Sequence, residues 1–222
     1  HLVLARLPDA PPGVKGISLF LATKRLVDDN GALGAPNDLR PGSIEHKLGI
    51  HGSPTCVMLF EGAQAELVGE VNNGIAHMFV MMNAARLQVG VQGVAIAERA
   101  YQQALAFSQE RTQGRGAWGP GIFGHPDVRR MLTLMKAKIE AARAICITTG
   151  VLADLGRLSE DPAERAIAKA RQELLTPIAK AWSTDIGVEV ASLGVQVHGG
   201  MGFIEETGAA QHYRDARIAP IY

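Results

Sequence analysis

The chain has 222 residues, 47% hydrophobic and 20% charged, which supplies a core for one large domain or two small ones and argues against disorder. Its 22 basic and 22 acidic side chains sum to a formal charge of +0, so a basic face for nucleic acid is not expected. Cys56 and Cys146 stand far apart without metal-like spacing, which argues against a disulfide framework and for a reducing, cytoplasmic setting. Up to about residue 72, Gly and Pro punctuate short apolar runs, and residues 1–7, 16–22 and 55–61 read as strands. Between the last two, 27–45 holds Gly31, Gly34, Pro36, Pro41 and Gly42 and reads as loop or irregular ribbon.

From residue 73 the apolar period becomes helical. Leu87, Val91, Val94, Tyr101 and Leu105 recur at spacings of three, four or seven, predicting a helix over 74–111. At about 1.5 Å per residue it is roughly 55 Å long. Its most apolar part, 75–97, still carries His77, Asn83, Arg86, Gln88 and Gln92, so no membrane partner is expected. Five glycines in 114–124 predict a loop. Pro126 suits the first turn of a second helix, lined by Val128, Met131, Met135, Ile139, Ala142 and Cys146 and ending near Gly156. The third starts around Asp161-Pro162 and carries Leu175, Ile178, Trp182, Ile186, Val190, Leu193 and Val197 on one side. Pro177 inside that pattern should bend or break it, and Gly199-Gly200 should end it. A shorter fourth helix is expected over 206–217. The fold class is mostly α, an up-and-down four-helix bundle over 73–222 preceded by a partial β-domain over 1–72.

Familiar catalytic motifs are missing. No glycine loop leads into Gly-Lys-Ser/Thr, and Gly199-Gly200-Met201-Gly202 follows a helix and lacks the third glycine of a dinucleotide fingerprint. No two histidines form a helical zinc pair, so no metal is expected. Three polar spots interrupt the helical faces. Asn83 and Arg86 share a face of the first helix, as a solvated patch or as a site. Arg111, Thr112 and Gln113 close that helix, where a cation also simply offsets the helix dipole. Gln196 to Gly200 is a helix stop, or a stretch of bare backbone that an anion approaches. Spacing alone leaves each pair of readings open.

Together the spots resemble the acyl-CoA dehydrogenase family. "KGISLFLA" (15–22) and "KLGIHGSPTCVMLFEGAQA" (47–65) look like strands of its middle, β-barrel-like domain. "MNAARLQVGVQGVAIAERAYQQALAFSQERTQGR" (82–115) and "HPDVRRMLTLMKAKIEAARA" (125–144) look like the first two helices of its C-terminal domain. "VQVHGGMGFIEETGAAQHYRDARIAPIY" (195–222) is the most specific, through its Gln-x-x-Gly-Gly and Arg-Asp-Ala-x-Ile segments. "EHKLGIHGSPTC" and the long 27–45 insert look most like the large bacterial members of the 3-methylmercaptopropionyl-CoA dehydrogenase type.

The resemblance implies FAD bound between subunits, oxidation of an acyl-CoA thioester to its α,β-enoyl product, an electron acceptor such as an electron-transfer flavoprotein, and a homodimer or homotetramer. It places Arg86 at the acyl-binding pocket, with Asn83 where the family usually has aspartate. Arg111, Thr112 and Gln113 match the segment reaching a neighbouring subunit's FAD pyrophosphate. His125 matches a flavin contact, although Pro126 stands where the family has glutamine. Gln196, Val197, His198, Gly199 and Gly200 match the segment that holds the FAD adenosine and pyrophosphate. No catalytic residue is expected within the chain. The family's glutamate base would follow Tyr222, and Glu205 and Glu206 match no catalytic position. The expectation is a fragment of a longer enzyme, inactive alone. The alternatives are a DNA-binding or otherwise non-dehydrogenase flavoprotein relative, and a purely structural oligomerisation module.

Overall fold

The computed structural model describes residues 1–222, which divide into two compact units, 1–47 with 51–84, and 48–50 with 85–222.

In the first unit, β1 (Leu2–Arg6), β2 (Ile17–Leu21) and β7 (Glu66–Val68) form an antiparallel sheet in the order β1-β2-β7. Of the two readings of 27–45, loop or irregular ribbon, the second holds. β3 (Arg25–Val27) and β4 (Leu33–Pro36) make an irregular hairpin, and β5 (Leu39–Ile44) runs antiparallel to β6 (Cys56–Phe60). Pro41 survives in β5 because the register shifts between Pro41 and Ser43, where a ladder bond is forfeited anyway. β7 carries no sequence signal beyond three residues, and pairing with β2 creates it. Asn37 donates to the carbonyls of Thr23 and Gln64 at 2.9 and 2.8 Å, and the buried Ser18 hydroxyl accepts the Asn72 N–H at 2.8 Å. Asn72 has a φ of 64°, a conformation asparagine tolerates better than most residues, and it turns the chain into α1 (Gly74–Glu110).

The second unit is built on the later part of α1, with α2 (Pro126–Leu158), α3 (Pro162–His198) and α4 (Ala209–Ala216). Pro126 and Pro162 both occupy the first helical turn, and Asp161 caps α3 by accepting the Ala163 N–H at 2.9 Å. All six apolar positions expected on α2 lie in or against the core. On α1, Leu87, Val94, Tyr101 and Leu105 also face it, but Val91 points outward. The reason is a seam of glycines. A Cβ on Gly90 would sit 2.9 Å from the Ala179 carbonyl oxygen, and one on Gly93 2.5 Å from that of Ser183. Gly187 faces the Gly93 backbone in return, 3.0 Å from its carbonyl oxygen. α1 and α3 therefore touch backbone to backbone, and the face between them is lined by small residues where a stripe of large ones was expected.

Four further expectations are corrected. α3 runs through Pro177, so of the expected bend or break the break does not occur; Pro177 is exposed, as is Glu173, whose carbonyl loses its helix bond to the missing N–H. The N-terminal part of the expected α3 stripe is wrong, since Ile178 and Trp182 are exposed and Leu175 is only half-buried, while Ala179 and Ser183 are buried. α4 begins at Ala209 because Gly208, at a φ of 78°, separates it from a short turn over Glu205–Thr207. The glycine-rich patch is no loop. It forms β8 (Thr112–Gly116) and β9 (Gly119–Gly121), with Ala117 and Trp118 at the tip. Its glycines are structural: a Cβ on Gly121 would lie 2.7 Å from the Gln109 carbonyl oxygen, and one on Gly124 2.8 Å from that of Gly119.

Candidate cofactor-binding cleft

Two helix ends and the hairpin meet around a cleft of about 330 Å³ in the second unit. The end of α1 and the start of β8 supply Phe107, Arg111 and Gln113. The end of α3 supplies Val197 and His198, followed by Gly199, Gly200 and Met201, and Ile122 closes the floor. Residues about 85 positions apart are thus brought together because α1 and α3 end at the same side of the bundle.

The wall is braced from behind. The His198 ring is buried, donates through Nδ1 to the Gly194 carbonyl at 2.7 Å, and stacks on Phe107 with centroids 4.4 Å apart. His125 does not line the cleft; its Nε2 donates to the Gln113 carbonyl at 2.8 Å and so holds the start of the hairpin. Thr112 is paired with Gly121 in the ladder. Gln196 is exposed, and its carbonyl accepts the Gly199 N–H that caps α3.

Chemically the cleft is one-sided. Arg111 is its only charged group and no carboxylate lines it. The Arg111 guanidinium is exposed and has no hydrogen-bond or ion-pair partner in the chain. Across from it, Gly199 has φ 59° and ψ −137°, a conformation almost confined to glycine, and a Cβ on Gly199 or Gly200 would meet nothing within 4 Å. Two larger grooves lack this combination. One, of about 500 Å³, carries Asp185 and Glu189. The other, of about 420 Å³, has Arg129 stacked over Trp118 and Phe123 and Lys136 bridged to Glu140 at 2.7 Å.

Sequence reasoning missed Phe107, Ile122 and Met201. Phe107 was findable, since it lies one turn before Arg111 on the same helical face. Of the expected substrate pair, neither residue lines the cleft: Asn83 is exposed on α1 and Arg86 is half-buried. The Arg-Asp-Ala segment turns out to be architectural. Asp215 accepts the Ile50 N–H at 2.6 Å, and Arg214 bridges Glu205 at 2.6 Å. A Cβ on Gly49 would lie 2.6 Å from the Asp215 carboxylate, so the Leu48–Ile50 excursion needs glycine there.

Residues 72–222 match the family model described as "Acyl-CoA dehydrogenase, C-terminal domain". The chain belongs to the acyl-CoA dehydrogenase family. It is 55% identical, over 227 aligned positions, to the 3-methylmercaptopropionyl-CoA dehydrogenase of Ruegeria pomeroyi, covering 100% of this chain and 38% of that protein. The resemblance to that type of acyl-CoA dehydrogenase therefore holds along the whole chain. Among solved structures, it is similar to Caenorhabditis elegans ACDH-11 in complex with C11-CoA, with a TM-score of 0.86 at 27% identity, covering 100% of this chain and 36% of that one. It is also similar to a chain in the structure of the electron transferring flavoprotein of Acidaminococcus fermentans, with a TM-score of 0.79 at 28% identity over 100% of this chain and 52% of that one. The chain thus spans 38% of the length of the Ruegeria pomeroyi protein and likewise of a butyryl-CoA dehydrogenase of Syntrophomonas wolfei to which it is 37% identical. No helix is long and apolar enough to cross a membrane.

Proposed function

We propose that the protein to which these residues belong is an FAD-dependent acyl-CoA dehydrogenase, and that the cleft between Arg111 and Gly200 holds the pyrophosphate side of FAD. One observation carries the reading: an unpartnered guanidinium faces a bare diglycine turn across a cleft that has no carboxylate. The residues present fit the cofactor. Arg111 would neutralise the pyrophosphate through charge-assisted bonds, and the diglycine backbone leaves room for close approach. Phe107, Ile122 and Met201 give the adenosine an apolar wall. Gln113, Val197 and His198 complete the contact surface, and Thr112, His125 and Gln196 hold its edges.

FAD held there would supply the hydride acceptor for oxidation of an acyl-CoA thioester between its α- and β-carbons, a reaction that also needs a base for the α-proton. No residue of this chain is assigned as that base: Glu205 is exposed and paired with Arg214, and Glu206 is exposed outside the cleft. The 222 residues alone are therefore inactive. Arg86 and Asn83 are assigned to the acyl side of the substrate, and 55% identity to a 3-methylmercaptopropionyl-CoA dehydrogenase supports a short thioether acyl-CoA as substrate. An electron-transfer flavoprotein is the proposed acceptor and the cytoplasm the proposed location. Residues 73–222 are assigned as the helical domain and 1–72 as part of the middle domain; the family match beginning at residue 72 supports that division. Exposed Ile147, Val151, Leu158, Ile167, Leu174 and Trp182 on α2 and α3 support assembly as a homodimer or homotetramer.

The test is Arg111→Ala in the full-length protein. FAD should dissociate about 10- to 100-fold more readily, the range of a lost charge-assisted bond, with little change in folding stability. Undiminished flavin affinity would show that this cleft is not the flavin site.

A further inference from the structure

The diglycine turn belongs to an arm, residues 199–208, that hydrophobic burial does not hold. Phe203 is 86% exposed and Met201 42% exposed, and along 199–206 only Gly202 is buried, where a Cβ would lie 2.4 Å from the Val195 carbonyl oxygen. Polar contacts hold the rest: the Arg214–Glu205 bridge at 2.6 Å, and two fastenings made through Thr207. The Thr207 hydroxyl lies 2.7 Å from the Met201 carbonyl oxygen and 3.1 Å from that of Ile204, which closes the arm on itself. The Gln103 side-chain amide on α1 donates to the Thr207 carbonyl, and the Gln103 oxygen accepts from His212 Nε2 at 2.8 Å. Gln103 stands eight residues before Arg111, about 12 Å along the helix. One helix thereby references both walls of the cleft: Arg111 directly, and Gly199 to Met201 through Gln103 and Thr207.

We propose that Gln103 and Thr207 are positioning residues that set the diglycine arm at the distance from Arg111 that a bound pyrophosphate requires. The proposal rests on the flavin reading of the cleft. Neither residue lines the cleft, so neither acts by touching the cofactor. Met201 is the link, since it lines the cleft and its carbonyl is the one Thr207 grips.

The experiment uses the full-length flavoprotein, stripped of FAD and titrated with it, alongside hydrogen exchange of the apoprotein. Thr207→Val keeps shape and removes the hydroxyl; Thr207→Ser keeps the hydroxyl. Gln103→Met removes both of the amide's bonds. Thr207→Val and Gln103→Met should weaken FAD binding about three- to tenfold, the worth of one or two ordinary hydrogen bonds, while Thr207→Ser binds like the parent. Exchange should rise across 199–207 in the two weakened variants before any flavin is added, with the α1–α3 core unchanged. If Thr207→Val binds FAD as tightly as the parent while Arg111→Ala releases it, the positioning role is wrong and the flavin site stands. If Arg111→Ala also keeps its flavin, the flavin reading fails and takes the proposal with it. A loss of affinity that tracks global unfolding and is not rescued by Thr207→Ser would overturn the proposal too.

Discussion

Glycine does opposite things in two parts of the second unit. Along the α1–α3 seam, Gly90, Gly93 and Gly187 are glycine because an added Cβ would strike another backbone at 2.5–3.0 Å. At the end of α3, a Cβ on Gly199 or Gly200 would meet only open space. In the seam the missing side chain is replaced by protein. At the turn nothing in the chain replaces it, and Gly200, with no positive φ to explain it, has no conformational reason to be glycine. The difference separates a packing glycine from one that leaves room for something else, and beside the unpaired Arg111 it supports the reading proposed for the cleft.

The comparison breaks most visibly by substitution. Gly93→Val should destabilise the fold by about 3 kcal/mol or more, at the upper end of overpacking costs, because the facing atoms are main chain and cannot swing aside. A denaturant midpoint near that of the parent would show that the seam is looser than its distances imply. Gly199→Ala should cost about 1–3 kcal/mol of stability through backbone strain alone, since space for the methyl is free. Gly200→Val should leave stability within about 0.5 kcal/mol, as surface changes do, yet weaken FAD binding in the full-length protein. If the flavin affinity of Gly200→Val were unchanged, Gly200 would be an ordinary surface residue.

The smallest effect concerns pH. Burial, with Arg99 nearby, holds the His212 imidazole below its ordinary value, and Asp215 only partly opposes this. The unfolded chain then takes up a proton at higher pH than the folded one. His212 contributes stability above the ordinary histidine range, and that contribution is lost as pH falls through the folded value. His212→Gln should therefore flatten the acid side of the stability profile. An unchanged acid limb would assign that slope to other groups.

The same contrast explains what could be read in the sequence. The core stripe of α2 was legible because the helix fills its interface with side chains, from Val128 to Cys146, and side chains carry the period. α1 and α3 were legible as helices, but their shared face was not, because Gly90, Gly93, Ala179 and Ser183 have too little side chain to signal burial. The 112–121 hairpin was missed for the same reason: its strands are closed by glycine backbone at Gly116, Gly121 and Gly124. Arg111, Gln113 and Val197 to Gly200 were picked out through family resemblance, and the structure brings them to one cleft. Gln103 and Thr207 were invisible because their contact spans 104 positions and neither residue type is unusual where it stands.

A crystal structure of the full-length protein with FAD tests the central claim most directly. The flavin pyrophosphate should lie within about 3 Å of the Arg111 guanidinium and against the Gly199–Met201 backbone, at ordinary hydrogen-bond distance. FAD bound elsewhere, with only solvent between Arg111 and Gly200, would contradict the account.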